Sequence, residues 1–137
     1  MAAGQIHGSR LLTEGVDVVY ERDPANLSRL AEYLHRTNAR LSESTARHFS
    51  QDSLITEKGL SLCTIEGDMK VLYRIDGVGA YEDLLAMSQP CFLGNVTVRV
   101  ITLDGLLLSK HVTDRPKDRL HIPDLECLRV LRLWPGV

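Results

Sequence analysis

The chain has 137 residues, 44% hydrophobic and 25% charged, with a formal net charge of −2, which suits one domain spanning 1–137 and disfavours a basic nucleic-acid-binding surface. Cys63, Cys91 and Cys127 are widely spaced with no Cys-x-x-Cys pair, so they form neither a disulfide framework nor a zinc site and read as reduced, buried thiols. No charged leader opens the chain and no apolar run approaches the roughly 20 residues of a membrane span, so no membrane partner and a cytoplasmic location are expected.

Val16 to Tyr20 reads as a strand. Asp23-Pro24 is a helix start, an N-cap side chain followed by proline at the first helical position. Leu27, Leu30, Ala31 and Leu34 then recur on one face of an amphipathic helix that ends near Asn38. Residues 39–58 are polar, with a loop or short helix near Ser53 to Glu57. Leu60 to Ile65 alternates with period two, and Met69 to Ile75 follows after a Glu66-Gly67 turn, which predicts a hairpin.

Gly77-Val78-Gly79 is a turn, lacking the later glycine of a dinucleotide fingerprint. Tyr81 to Ser88 suits a short helix, Val96 to Ile101 a strand and Leu103 to His111 a helix with Leu103, Leu106 and Leu107 buried and Lys110 beside that stripe. Residues 116–133 are helical, with Pro123 starting a new piece after a kink. The order implies an α+β fold, an α/β sandwich. Its mixed sheet is expected to hold Val16–Tyr20, Leu60–Ile65, Met69–Ile75 and Val96–Ile101, with the 24–37 helix packed on one face.

The chemistry-bearing residues follow from strand parity. Residues two apart on a strand share a face, so Gly15 and Asp17 lie together, as do Asp68 and Lys70, while Glu14 points to the opposite face from Asp17. Gly8-Ser9 forms a turn in which the glycine lets the backbone approach closely and the Ser9 hydroxyl can meet phosphate oxygens. Lys70 is expected within about 4 Å of Asp17 or Asp68, the usual limit for an ion pair. The scattered histidines, His7 and His121 among them, show no metal or triad spacing.

His7-Gly8-Ser9, Thr13 to Tyr20, Glu21 to Leu30, Gly67 to Leu72, Gly77 to Leu85, Leu106 to Lys110 and Arg115-Pro116-Lys117-Asp118 together resemble the signatures of the DNA-polymerase-β-like nucleotidyltransferase superfamily. The resemblance is to its small bacterial branch related to abortive-infection and toxin–antitoxin proteins. It implies a nucleotidyltransferase-like mixed sheet and a site that holds Mg²⁺ on three carboxylates and binds an NTP. Catalysis and metal binding then fall to Asp17 and Asp68, and nucleotide binding to Gly8, Ser9, Lys70 and Lys110.

Two departures matter. Gly15 stands where the resemblance places the first acid of Asp-x-Asp, and Lys70 where it places the third carboxylate. Too few oxygen ligands remain for efficient two-metal catalysis. The expectation is a degenerate, weakly active or inactive nucleotide-binding or protein-interaction module. An active Mg²⁺-dependent enzyme moving an NMP group to a hydroxyl, and a toxin–antitoxin-like interaction protein, are the alternatives. Acids at both 15 and 70 are expected to restore metal affinity. The residues resembling Ala2 to His7 follow a strand in relatives, so the chain reads as truncated, with a homodimer shielding the exposed edge or the Ala2–His7 segment.

Arg115 to Asp118 also has a plain reading: a helix start with proline in its first turn and an exposed Lys117–Asp118 pair.

Overall fold

A computed structural model describes residues 2–13, 15–42 and 49–133. In chain order the elements are α1 (Ala2–Ile6), β1 (Gly15–Val19), α2 (Pro24–Arg36), β2 (Arg40–Leu41), α3 (Ser53–Thr56), β3 (Gly59–Thr64) and β4 (Gly67–Leu72). They continue with β5 (Arg74–Ile75), β6 (Gly79–Ala80), α4 (Tyr81–Ala86), β7 (Ser88–Leu93), β8 (Val96–Ile101), α5 (Leu103–Thr113) and α6 (Pro116–Leu133). This is an α+β fold. The chain forms two compact units, named for their place in the sequence: the inner from Thr13–Arg74 and the outer from the segments before and after it.

The inner unit is built on a four-stranded mixed sheet of order β1-β4-β3-β2, with β1 parallel to β4 and the remaining neighbours antiparallel. Asp23 Oδ2 accepts the Asn26 N–H at 3.0 Å, and Pro24 opens α2 without a donor to satisfy. Leu27, Ala31 and Leu34 are buried, and Leu30 packs partly against the same core. The inward strand positions are Leu60, Leu62 and Val71, with Val18 and Met69 at their border. Leu34, Leu54 and Leu62 have no exposed surface, so each stabilises the unit by about 1.5–3 kcal/mol through burial. Tyr20 closes this core by donating its hydroxyl to the Leu54 carbonyl at 2.6 Å.

The outer unit has a helical core in which Leu103, Leu106, Leu107 and Leu125 are buried, with Ala3, Ile101, Ile122 and Leu128 against them. Thr102 caps α5 by accepting the Gly105 N–H. Gly77 has φ +80 in the turn expected at Gly77-Val78-Gly79, and the short strands β5 and β6 pair across it.

Three expectations are corrected here. Val96–Ile101 is not in the mixed sheet; it pairs antiparallel with β7, from Ser88↔Ile101 to Leu93↔Val96, in a separate two-stranded sheet. Gly94, at φ +63, provides the tight turn that makes this local pairing the one with least loop entropy. Pro123 does not begin a new piece: α6 runs through it, because His121 and Leu125 on either side are buried and hold the helix despite one missing N–H. Met69–Ile75 is not one strand of the mixed sheet: β4 ends at Leu72, and Arg74–Ile75 is β5, paired with β6 in a separate two-stranded sheet.

The cysteines also differ from expectation. Cys63 and Cys127 are exposed and Cys91 is half-buried, all three as free thiols. Among the described residues no helix is long and apolar enough to cross a membrane.

Candidate functional site

The inner sheet buries one face and leaves the other open. Strand register places Gly15 beside Asp68 and Asp17 beside Lys70, with Cys63 and Ser61 next in the same two rows on β3. Partners in register point the same way, so Asp17, Asp68, Lys70, Ser61 and Cys63 share one face, and all five are exposed. Leu60, Leu62 and Val71 occupy the alternate positions and face α2. The local reason is the period-two pattern itself: burying these apolar residues turns the acids and Lys70 outward.

Asp17 and Asp68 stand diagonally, with Cα atoms roughly 8 Å apart from a strand spacing near 4.8 Å and a two-residue rise near 6.6 Å. The ion pairs of the described residues lie elsewhere, so Lys70 pairs with neither Asp17 nor Asp68, contrary to expectation. The cause is exposure: in water-like dielectric an ion pair gains little against the entropy of fixing a long side chain. Among the described residues no three His, Cys, Asp or Glu side chains group as a metal site. Glu14 lies outside the described residues.

Gly15 has a structural reason of its own. A Cβ built there falls 2.7 Å from the Asp68 backbone carbonyl oxygen, closer than a methyl group can sit without moving β1 or β4. An aspartate at this position therefore disturbs the parallel pairing on which the face depends. The expected repair with acids at both 15 and 70 is corrected accordingly: only position 70 can receive a carboxylate without this clash.

The remaining sequence candidates belong to the outer unit. Gly8 has φ +107, whereas a Cβ there would make only an ordinary 3.5 Å contact with Leu128, so the turn needs glycine for its conformation rather than for close approach. Ser9 is buried; its N–H donates to the Gly4 carbonyl at 2.8 Å and its Oγ accepts the Leu11 N–H at 3.2 Å. His7 is also buried, with Nε2 donating to the Ile101 carbonyl at 2.7 Å.

Lys110 donates to Asp118 Oδ1 at 2.6 Å. Asp118 is fully buried rather than exposed, and its second oxygen accepts from Thr113 Oγ1 at 2.7 Å and Arg115 Nε at 2.8 Å. Burial opposes its charged form, yet the hydrogen bonds from Arg115, Lys110 and Thr113 and the Lys110 charge outweigh burial and hold the carboxyl well below the usual range. Lys117 is not its partner. Asp118 was not among the sequence candidates, although a signal existed: a lysine beside a buried stripe requires a nearby anion. His121, also buried, is pushed below its ordinary value by desolvation and then by the charges of Lys110 and Lys117.

No protein-family model and no curated protein matches this chain.

Proposed function

We propose that the chain is a nucleotidyltransferase-like module that binds a nucleoside triphosphate weakly and transfers little or no NMP. The observation that supports this most is the β1–β4 register, which sets Asp17 beside Lys70 and Asp68 two residues along the same open face. An ammonium without an ion-pair partner among the described residues suits a phosphate oxygen, while two diagonal carboxylates suit one hydrated Mg²⁺ carried by the nucleotide. Gly15 and Lys70 leave this face short of the three acids that a two-metal site needs. The resemblance also names Gly8, Ser9 and Lys110; these belong to the outer unit and are no part of the Asp17–Lys70 face, and Lys110 is already neutralised there by Asp118.

Calorimetry with ATP, GTP, CTP and UTP, each with and without Mg²⁺, tests the reading. The expected result is a dissociation constant of about 0.1–1 mM, near −4 to −5.5 kcal/mol, that survives removal of Mg²⁺ and weakens in Lys70→Ala. Absence of binding by every nucleotide overturns it. Tight Mg²⁺-dependent binding with NMP transfer to an acceptor replaces it with the active-enzyme alternative, in which Asp17 and Asp68 hold Mg²⁺.

A further inference from the structure

Strand register carries the open face of the inner sheet to its far edge. Arg40 on β2 stands opposite Cys63, Cys63 opposite Asp68 and Asp68 opposite Gly15, so one row crosses all four strands. In the next row Ser42 donates its N–H to the Ser61 carbonyl at 2.9 Å, and Ser61 stands beside Lys70 and Lys70 beside Asp17. Ala39 is buried and Leu41 packs against the inner core, which turns Arg40 and Ser42 to the open side. There Ser42 Oγ meets Cys63 Sγ at 3.5 Å.

The charges on this face are ordered across the sheet. Carboxylates stand on β1 and β4, an ammonium on β4 and a guanidinium on β2, with the small residues Ser61 and Cys63 of β3 between. Lys70 and Arg40 are two strands and one two-residue step apart, roughly 12 Å between Cα atoms. Both side chains are long enough to lean over β3, so their cationic heads can meet the same phosphate chain. A guanidinium fork matches two oxygens of one phosphate, which a terminal phosphate presents best, whereas an ammonium is a point charge suited to an inner one. The described residues of these two rows include no aromatic side chain, so the face offers a base no stacking surface.

We infer that Arg40 makes this face selective for a triphosphate chain and indifferent to the base attached to it. The inference rests on the nucleotide reading of the same face and gives it a direction. Lys70 takes an inner phosphate, Arg40 takes the terminal one, and the hydrated Mg²⁺ stays at the Asp17 and Asp68 end. A nucleoside monophosphate ends at its first phosphate and meets Lys70 alone.

NMR titration of the whole chain in EDTA with ATP, GTP, AMP and inorganic tripolyphosphate tests it. Arg40 is exposed, so its variants should keep the wild-type circular dichroism. ATP, GTP and tripolyphosphate should bind alike and AMP about tenfold more weakly, the scale of one charge-assisted contact. Arg40→Ala should bring the three triphosphate ligands down to the AMP level and leave AMP unchanged. Arg40→Lys, which keeps the charge and loses the fork, should fall between. Full-strength ATP binding by Arg40→Ala overturns the inference and leaves the nucleotide reading standing, with Arg40 a charge that only guards a sheet edge. An equal loss for AMP, or ATP and GTP affinities more than about tenfold apart, also overturns it. Arg40-dependent binding of tripolyphosphate with neither nucleotide bound supports the phosphate selectivity and overturns the nucleotide reading; no binding by any of the four overturns both.

Discussion

Lys110 Nζ lies 2.6 Å from Asp118 Oδ1, and the carboxylate that receives it has no exposed surface. The pair joins α5 to the first turn of α6, with Thr113 and Arg115 completing the shell. Removing one partner of a buried ion pair leaves the other uncompensated, which is costlier than the pair is stabilising. Asp118→Ala should therefore destabilise the protein by about 3–5 kcal/mol. Lys110→Met should cost less, because Arg115 and Thr113 still satisfy Asp118. Urea denaturation of the two variants checks the order; a larger loss for Lys110→Met contradicts it.

The same cluster gives a pH dependence in two stages. His121 has a folded pKa below its unfolded value, so the unfolded chain binds the proton first and stability falls as pH drops below about 6.5. Asp118 is likewise depressed; its contribution is fully present above its unfolded pKa of about 4 and is lost as pH falls below that toward the folded value. His121→Leu should flatten the first stage, and Asp118→Asn should flatten the second while deepening the first, because the Asp118 charge favours protonated His121. Thermal denaturation from pH 3 to 8 reads both. A first stage that persists in His121→Leu assigns it to another group.

Gly15 should tolerate no side chain. With a Cβ 2.7 Å from the Asp68 carbonyl oxygen, Gly15→Ala forces β1 and β4 apart, at a cost of about 1–3 kcal/mol typical of overpacking. Chemical denaturation measures it. An unchanged midpoint shows that the strands can separate freely at this point.

Lys70→Asp should create a divalent-cation site. An aspartate there stands beside Asp17 in register and two residues from Asp68, which gathers three acids on the open face without touching Gly15. Manganese titration by calorimetry should show binding at least about tenfold tighter than in the unmodified chain, equivalent to 1.4 kcal/mol. Asp17→Asn added to Lys70→Asp should remove the gain. Equal affinity in the three forms means that the carboxylates do not converge.

The buried stripe of Leu27, Ala31 and Leu34, the hairpin of β3 and β4, the cap at Asp23 and the shared face of Asp17 with Gly15 and of Asp68 with Lys70 were legible in the sequence. Each rests on a rule that acts within a few residues: helical and strand periodicity, a capping side chain, a turn. Partners distant along the chain were not legible. Val96–Ile101 reads as a strand of the mixed sheet but pairs with β7, since periodicity defines a strand without choosing its neighbour. Asp118 reads as half of an exposed pair with Lys117, yet the packing of α6 on α5 buries it against Lys110. Gly15 reads as a lost carboxylate, and only the approach of β4 reveals the Asp68 carbonyl that a side chain would strike. Local hydrogen bonding and periodicity determine elements and faces, whereas pairing, burial and close contact depend on which surfaces meet when the chain folds.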